Sequence, residues 1–210
     1  MNIKSASELL IQAECYRILA LFYIKPQSGV HNNKKMHDLV VKSAELLNPK
    51  ALEVSKKLRV TGIHQNIGDL STEYFRLFEN PGKVLAYPCS KHYISKFRSD
   101  SDSDLINWLT NIYQMAGYIP EKANEPIDHI STELNYIYHL LIHTAKGFKE
   151  DNMSAIDLYD GLHCKFVKEH IMKWLPEFTR CIINNSQSPY YLQLSILTRT
   201  IIVHCPKDDA

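Results

Sequence analysis

The chain has 210 residues, 45% of them hydrophobic, and 24 Lys and Arg stand against 23 Asp and Glu. That length can bury a sizeable core, and a formal net charge of +1 supplies no global basic field for phosphates or anionic lipid. Nucleic-acid and membrane-surface roles are therefore disfavoured from the outset. The longest early apolar run, 18–24, is too short to span a bilayer, and Lys4, Glu8, Gln12 and Glu14 interrupt what precedes it. A soluble cytoplasmic protein that keeps its N-terminus is the expectation. The five cysteines, Cys15, Cys89, Cys164, Cys181 and Cys205, are scattered and form no Cys-x-x-Cys pair, as suits free thiols in a reducing compartment. With only seven glycines and no alternating run bounded by hairpin residues, the predicted class is all-α, a bundle of about ten helices.

In chain order, Ser5-x-x-Glu8 predicts a capping box opening a helix over 5–24, which Pro26 ends. Residues 36–47 and 49–58 read as two shorter helices, the second begun by Asn48-Pro49. The next places Ile67, Leu70, Tyr74, Leu77 and Phe78 on one face and stops at Asn80-Pro81-Gly82. Pro81, Gly82 and Pro88 make 79–91 a rigid surface loop. Ser101-x-x-Asp104 predicts the cap of a helix that Gly117 terminates in left-handed geometry. Beyond it, Ile127, Ile130, Leu134, Ile137, Tyr138, Leu141 and Ala145 form a broad apolar stripe that Gly147 closes. Ser154 is the predicted cap of a helix running to Trp174, where Pro176 kinks or ends it. Ser188-Pro189 opens a last, centrally placed helix that Pro206 ends.

The segment Glu125-Pro126-Ile127-Asp128-His129 is the best clue to function. Two carboxylates and an imidazole surround a proline where an ordinary connector needs none of them. Glu125 is the candidate N-cap, Pro126 the first helical residue, and Asp128 a first-turn charge complementing the helix dipole. Domain limits follow: an N-terminal helical subdomain 1–118, a hinge 119–126 and a C-terminal helical subdomain 127–210. Carboxylates beside an apolar groove suit a basic, partly apolar peptide.

Other chemistries are less well supported. His139 and His143 have the i, i+4 spacing of a metal pair, but both fall opposite the apolar stripe, no Glu follows His139, and no third ligand is indicated. No metal is therefore assigned. His163, Cys164 and His170 read as packing or surface residues. No nucleophile elbow, phosphate loop or dinucleotide fingerprint occurs, so no catalytic residue and no cofactor is assigned. A small helical metal-dependent hydrolase and a helical transcription regulator stay open as alternatives to a peptide-binding protein.

The same hinge resembles the Glu-Pro-x-Asp-His motif of the TorD family of molybdoenzyme maturation chaperones, in the TorD/DmsD/NarJ group. Tyr74-Phe75-Arg76-Leu77-Phe78 followed by Pro88-Cys89-Ser90-Lys91-His92-Tyr93 is similar to that family's helix and loop. Trp174-Leu175-Pro176-Glu177-Phe178 and Tyr190-Tyr191-x-x-Leu194 extend the resemblance over most of the chain. Cys89 departs from it, standing where relatives often carry an aromatic residue. The resemblance implies a two-subdomain all-α fold, monomeric or subdomain-swapped as a homodimer. It implies a non-enzymatic cytoplasmic chaperone that holds the twin-arginine signal peptide and apo-core of a molybdoreductase, of the trimethylamine N-oxide reductase type, until cofactor is inserted before export. The molybdenum cofactor would belong to the client. The expected peptide contacts are Glu125, Pro126, Asp128 and His129, faced by a groove of Tyr74, Leu77, Phe78, Pro88, Ser90 and Tyr93.

Overall fold

Ser5 closes its capping box in the computed structural model, which describes residues 5–94, 102–120 and 125–202. Its hydroxyl accepts from Glu8 N at 3.2 Å, and its own N–H donates to the Glu8 carboxylate at 2.9 Å. From this start α1 runs Ala6–Phe22, followed by α2 (Lys34–Glu45) and α3 (Pro49–Ile63), capped by Asn33 and Asn48. Helix α4 (Ile67–Tyr74) passes straight into a wide π turn, Phe75–Glu79. A loop then leads to the short α5 (Lys91–Ile94) and on to α6 (Asp102–Met115). Beyond the joint lie α7 (Ile130–Lys149) and α8 (Met153–Phe166), a second π turn at Val167–Ile171, α9 (Met172–Asn185) and α10 (Pro189–Ile202). The described residues contain one isolated β-bridge and no strand, so the fold is all-α as predicted. The predicted cap Ser101 and stop Pro206, like Cys205, lie outside the described residues.

Several local expectations change. Helix α8 takes its cap from Asn152, which accepts from Ala155 N, rather than from Ser154. Gly147 does not close α7 but sits inside it, where an added Cβ would come within 2.8 Å of Ile156 Cγ1. The glycine is the point at which α7 meets the start of α8. Pro176 neither ends nor splits α9, which continues through it one turn after the Val167–Ile171 widening. Gly117 adopts the left-handed conformation expected of it, with φ of +65°.

Helix α1 lies along α7, and α10 packs on both α3 and α9. Residues on either side of 119–126 thus feed one buried cluster, with Phe22, Leu58, Leu77, Leu134, Trp174 and Leu194 all sealed within it. Among the glycines, Gly62 on α3 has the least room for a side chain. A Cβ there would lie 2.2 Å from the His37 ring, which is stacked on Phe22 and donates from Nε2 to His31 O at 2.9 Å. Gly62→Ala should therefore displace the imidazole and break its bond. We expect a loss of about 2–3 kcal/mol, read as a lower urea midpoint with unchanged slope.

Candidate functional site

The sequence places Pro88 and Asp128 forty positions apart, and the backbone brings them together. Ser90 N donates to Asp128 O at 2.9 Å and Ile130 N donates to Pro88 O at 2.8 Å, forming the antiparallel bridge between Cys89 and His129. Such pairing requires extended backbone at His129, whose φ of −76° and ψ of 143° supply it. That geometry corrects the predicted helix start. Helix α7 cannot begin until Ile130, so its N-cap is His129 rather than Glu125, and Pro126 and Asp128 precede the helix.

Each polar group of the joint has a structural occupation. The Asp128 carboxylate accepts from Lys91 N at 3.1 Å and is 1% exposed. His129, 2% exposed, accepts on Nδ1 from Ser131 N at 3.2 Å and faces the Ser131 hydroxyl at 2.8 Å. Because Nδ1 accepts, the ring proton sits on Nε2, 3.6 Å from the Glu125 carboxylate. Burial pushes the His129 imidazole down to about 4, so the cap is neutral at ordinary pH. Pro126 O accepts from both His129 N and Thr132 Oγ1, while Tyr113 on α6 donates to Ile127 O at 3.1 Å. The joint is a latch tying α7 to α6 and to the loop before α5.

Of the predicted groove, Tyr74, Leu77, Phe78, Ser90 and Tyr93 are buried and Pro88 is half-buried. The rings do gather: Tyr74 meets Phe78 edge-on at 5.0 Å, and Tyr93 lies 5.8 Å from Trp174 and 6.1 Å from Phe178. They make a wall beneath the joint. Outward-facing groups are Glu125, a quarter exposed, Pro126, and three residues the sequence reading passed over, Glu79, Phe75 and Tyr87. The π turn at Phe75–Glu79 explains two of them, since one extra residue in the turn rotates Phe75 and Glu79 outward while Leu77 and Phe78 stay inside. Burial, then the charge on Glu79, raises the Glu125 carboxyl above its ordinary value. Burial first, then the charges on Glu125 and Glu79, pushes the Tyr74 hydroxyl well up. The charges on Glu79 and Glu125 both act on the Tyr74 hydroxyl, an acidic rim to the wall. Cys89 is not a reactive thiol here, because burial and the neighbouring Asp128 push it up to about 12.

Below the latch lies a group no sequence motif announced. Glu133, 0% exposed and one turn into α7, accepts from His170 Nε2 at 2.7 Å and from Trp174 Nε1 at 3.0 Å. Burial raises its carboxyl, and the His170 contact works against that rise. His170 therefore does not merely pack or face solvent. The second π turn, Val167–Ile171, contains it.

The remaining histidine pair is also corrected. His139 does not face away from the fold but donates from Nε2 to Ala116 O at 2.9 Å, and His143 stacks on Tyr159 at 4.7 Å. Among the described residues no group of three or more His, Cys, Asp or Glu is placed to hold a metal ion. Likewise, no described helix is long and apolar enough to cross a membrane.

Known proteins resemble this chain in sequence and in fold. A family model described as nitrate reductase delta subunit matches residues 45–180, well over half of the chain and including both sides of the joint. The chain belongs to the TorD family. It is similar to a chaperone protein TorD of Aliivibrio fischeri (strain ATCC 700601 / ES114), 28% identical over 139 residues that cover 64% of this chain and 61% of the relative. A chaperone protein TorD of Vibrio parahaemolyticus serotype O3:K6 is 22% identical over 142 residues, covering 68% and 63%. The chain thus spans about three fifths of the length of these curated relatives. A crystal structure described as a redox enzyme maturation protein from Archaeoglobus fulgidus superposes with a TM-score of 0.54 at 18% identity, covering 89% of this chain and 91% of that one. At that identity the TorD-like fold is what the superposition supports.

Proposed function

We propose that this protein is a non-enzymatic cytoplasmic chaperone for the maturation of a molybdoreductase, and that it receives the client's twin-arginine signal peptide at the rim formed by Glu79 and Glu125. Two adjacent carboxylates over a tyrosine-rich wall suit two adjacent guanidinium groups, and exposed Phe75 and Tyr87 suit the apolar stretch that follows them. The observation carrying this reading is the division of labour at the joint. Asp128 and His129 are buried and committed to the fold, while Glu79 is exposed and Glu125 keeps a quarter of its side chain exposed.

The relatives named TorD support extending the client class to a trimethylamine N-oxide reductase type of enzyme, whose apo-core would be held until its cofactor is inserted and export can follow. The subdomains 1–118 and 127–210 belong to the same proposal. On exchange between two copies, the bridge between residues 88–90 and 128–130 is a contact the swapped dimer would have to remake. The monomer makes it within one chain.

Binding of a synthetic leader carrying Arg-Arg, followed by fluorescence anisotropy, tests the reading. Glu125→Gln and Glu79→Gln should each weaken binding about fivefold, near 1 kcal/mol for a partly exposed ion pair, and 0.5 M salt should weaken wild type similarly. Because the Glu125 carboxyl is raised, affinity should climb with pH above the ordinary carboxylate range, as Glu125 ionises. Equal binding of an Ala-Ala leader would remove the proposal. Loss of binding in Asp128 or His129 variants would instead report damage to the latch.

A further inference from the structure

We propose that Glu133 is a positioning residue for the docking face, holding the first turn of α7 in register with the loop before α5 through His170 and Trp174. This inference deepens the peptide-docking reading and rests on it only for the choice of ligand. A chain of contacts connects the buried carboxylate to the rim. Glu133 N donates to His129 O at 3.0 Å, so the side chain is fixed one turn from the residue that caps α7 and touches Glu125. Its carboxylate is held by two donors from one side, His170 in the π turn and Trp174 at the start of α9. Trp174 in turn lies nearly parallel to the Tyr93 ring, at 5.8 Å and 28°, and Tyr93 N donates to Ser90 O, the residue whose own N–H makes the bridge to Asp128. The chain of contacts therefore closes on itself. It starts at the N-cap of α7, passes through the core and returns to the partner segment of the same bridge.

The chemistry explains why a carboxylate occupies this place. Two donors whose N–H groups converge from different positions on neighbouring turns need an acceptor with two oxygens, and a carboxylate is the side chain that offers both without a competing donor. An amide keeps one acceptor and turns an NH2 group toward the other donor. A core residue placed only for packing has no use for this arrangement, and burying a charge there is costly unless its geometry is fixed. The bidentate hold removes the rotation and sliding by which α7 could drift against α9. Drift there would move Glu125 relative to Glu79, which is carried by a separate element.

The test uses the full chain. Glu133→Gln and the milder Trp174→Phe, which keeps the ring and deletes only its donor, are compared with Leu58→Ala, a core deletion on α3 away from the joint. Amide exchange of Ser90, Lys91 and Ile130 is followed by NMR, and Arg-Arg leader affinity is measured well below each melting temperature. We expect Glu133→Gln to open the three latch amides beyond its loss of global stability and to weaken leader binding roughly tenfold, the scale at which supporting contacts act on the groups they hold. Trp174→Phe should move both readouts the same way by less. Leu58→Ala should lower stability while leaving latch exchange, so corrected, and affinity unchanged. The proposal is overturned if latch exchange in both joint variants tracks global stability alone, or if the Leu58 variant loses affinity equally. Failure of wild type to bind leader would overturn the docking reading instead, and the exchange comparison would still decide the role of Glu133.

Discussion

Glu133→Ala should cost about 3–5 kcal/mol of folding stability, among the largest single effects available in this chain. The truncation leaves His170 Nε2–H and Trp174 Nε1–H without their acceptor in a site closed to water. Each orphaned buried donor costs about 1–3 kcal/mol, and the vacated volume adds a cavity cost. The variant should show a urea midpoint well below wild type with an unchanged slope, and helical circular dichroism preserved below the transition. A cycle with His170→Ala supplies the second measurement. Once Glu133 is gone, removing His170 eliminates a donor already orphaned, so the double variant should lose less than the two single losses added together. Strict additivity would mean that the 2.7 Å contact contributes nothing to folding.

The Glu133 pair also marks where sequence reading stops. Several helix ends were legible from local signals: Ser5 with Glu8, Asn48 before Pro49, Ser188 before Pro189, and Gly117 as a left-handed stop each involve residues within one turn, though Asn152, not Ser154, caps α8. The start of α7 was misread because its decisive contact is with residues 88–90, and a backbone bridge to a distant loop leaves no trace in helical periodicity. The π turns escaped for a related reason. One extra residue in a turn preserves composition and shifts only phase, so the exposure of Phe75 and Glu79 and the buried contact of His170 left no sign in the periodicity.

The segment 125–129 was legible as a joint, but the part its charges play in the fold was not. Asp128 was the attractive choice because a carboxylate in a first turn complements a helix dipole, yet the turn begins two residues later and the carboxylate faces Lys91 N. Glu133 did carry a usable sign. It lies on the α7 face shared by Ile130 and Ile137, and an acid on an apolar stripe needs a buried donor somewhere. His170 and Trp174, an i, i+4 pair of ring donors on another helical run, were the available candidates.

Acidification from pH 6.5 toward 4 should weaken the fold through its buried histidines. Burial pushes both His129 and His31 down to about 4, against an ordinary value of 6.5 in the unfolded chain, and it lowers His37 as well. Between those limits the unfolded state binds protons that the native state refuses, so stability rises with pH and is lost as pH falls from 6.5 toward 4. Each fully refused proton contributes a slope of about 1.4 kcal/mol per pH unit, so His129 and His31, each refusing most of a proton near pH 5, should together give about 2.4 kcal/mol per pH unit there. Glu133 and Glu125 act in the opposite sense, because their raised carboxyls let the native state hold protons that the unfolded chain has released. The histidines dominate the upper part of the window, closest to 6.5 and furthest from the ordinary carboxylate range. Urea unfolding at half-unit steps from pH 7.5 to 4.5 measures the slope. His129→Asn separates its share, since an asparagine oxygen caps a helix as the imidazole nitrogen does but does not titrate. The variant should stay folded at pH 7 and lose stability on acidification with a slope smaller by about one proton. An unchanged slope would show that His129 is protonated as readily in the native state as in the unfolded chain, and the neutral cap assigned to α7 would have to be abandoned.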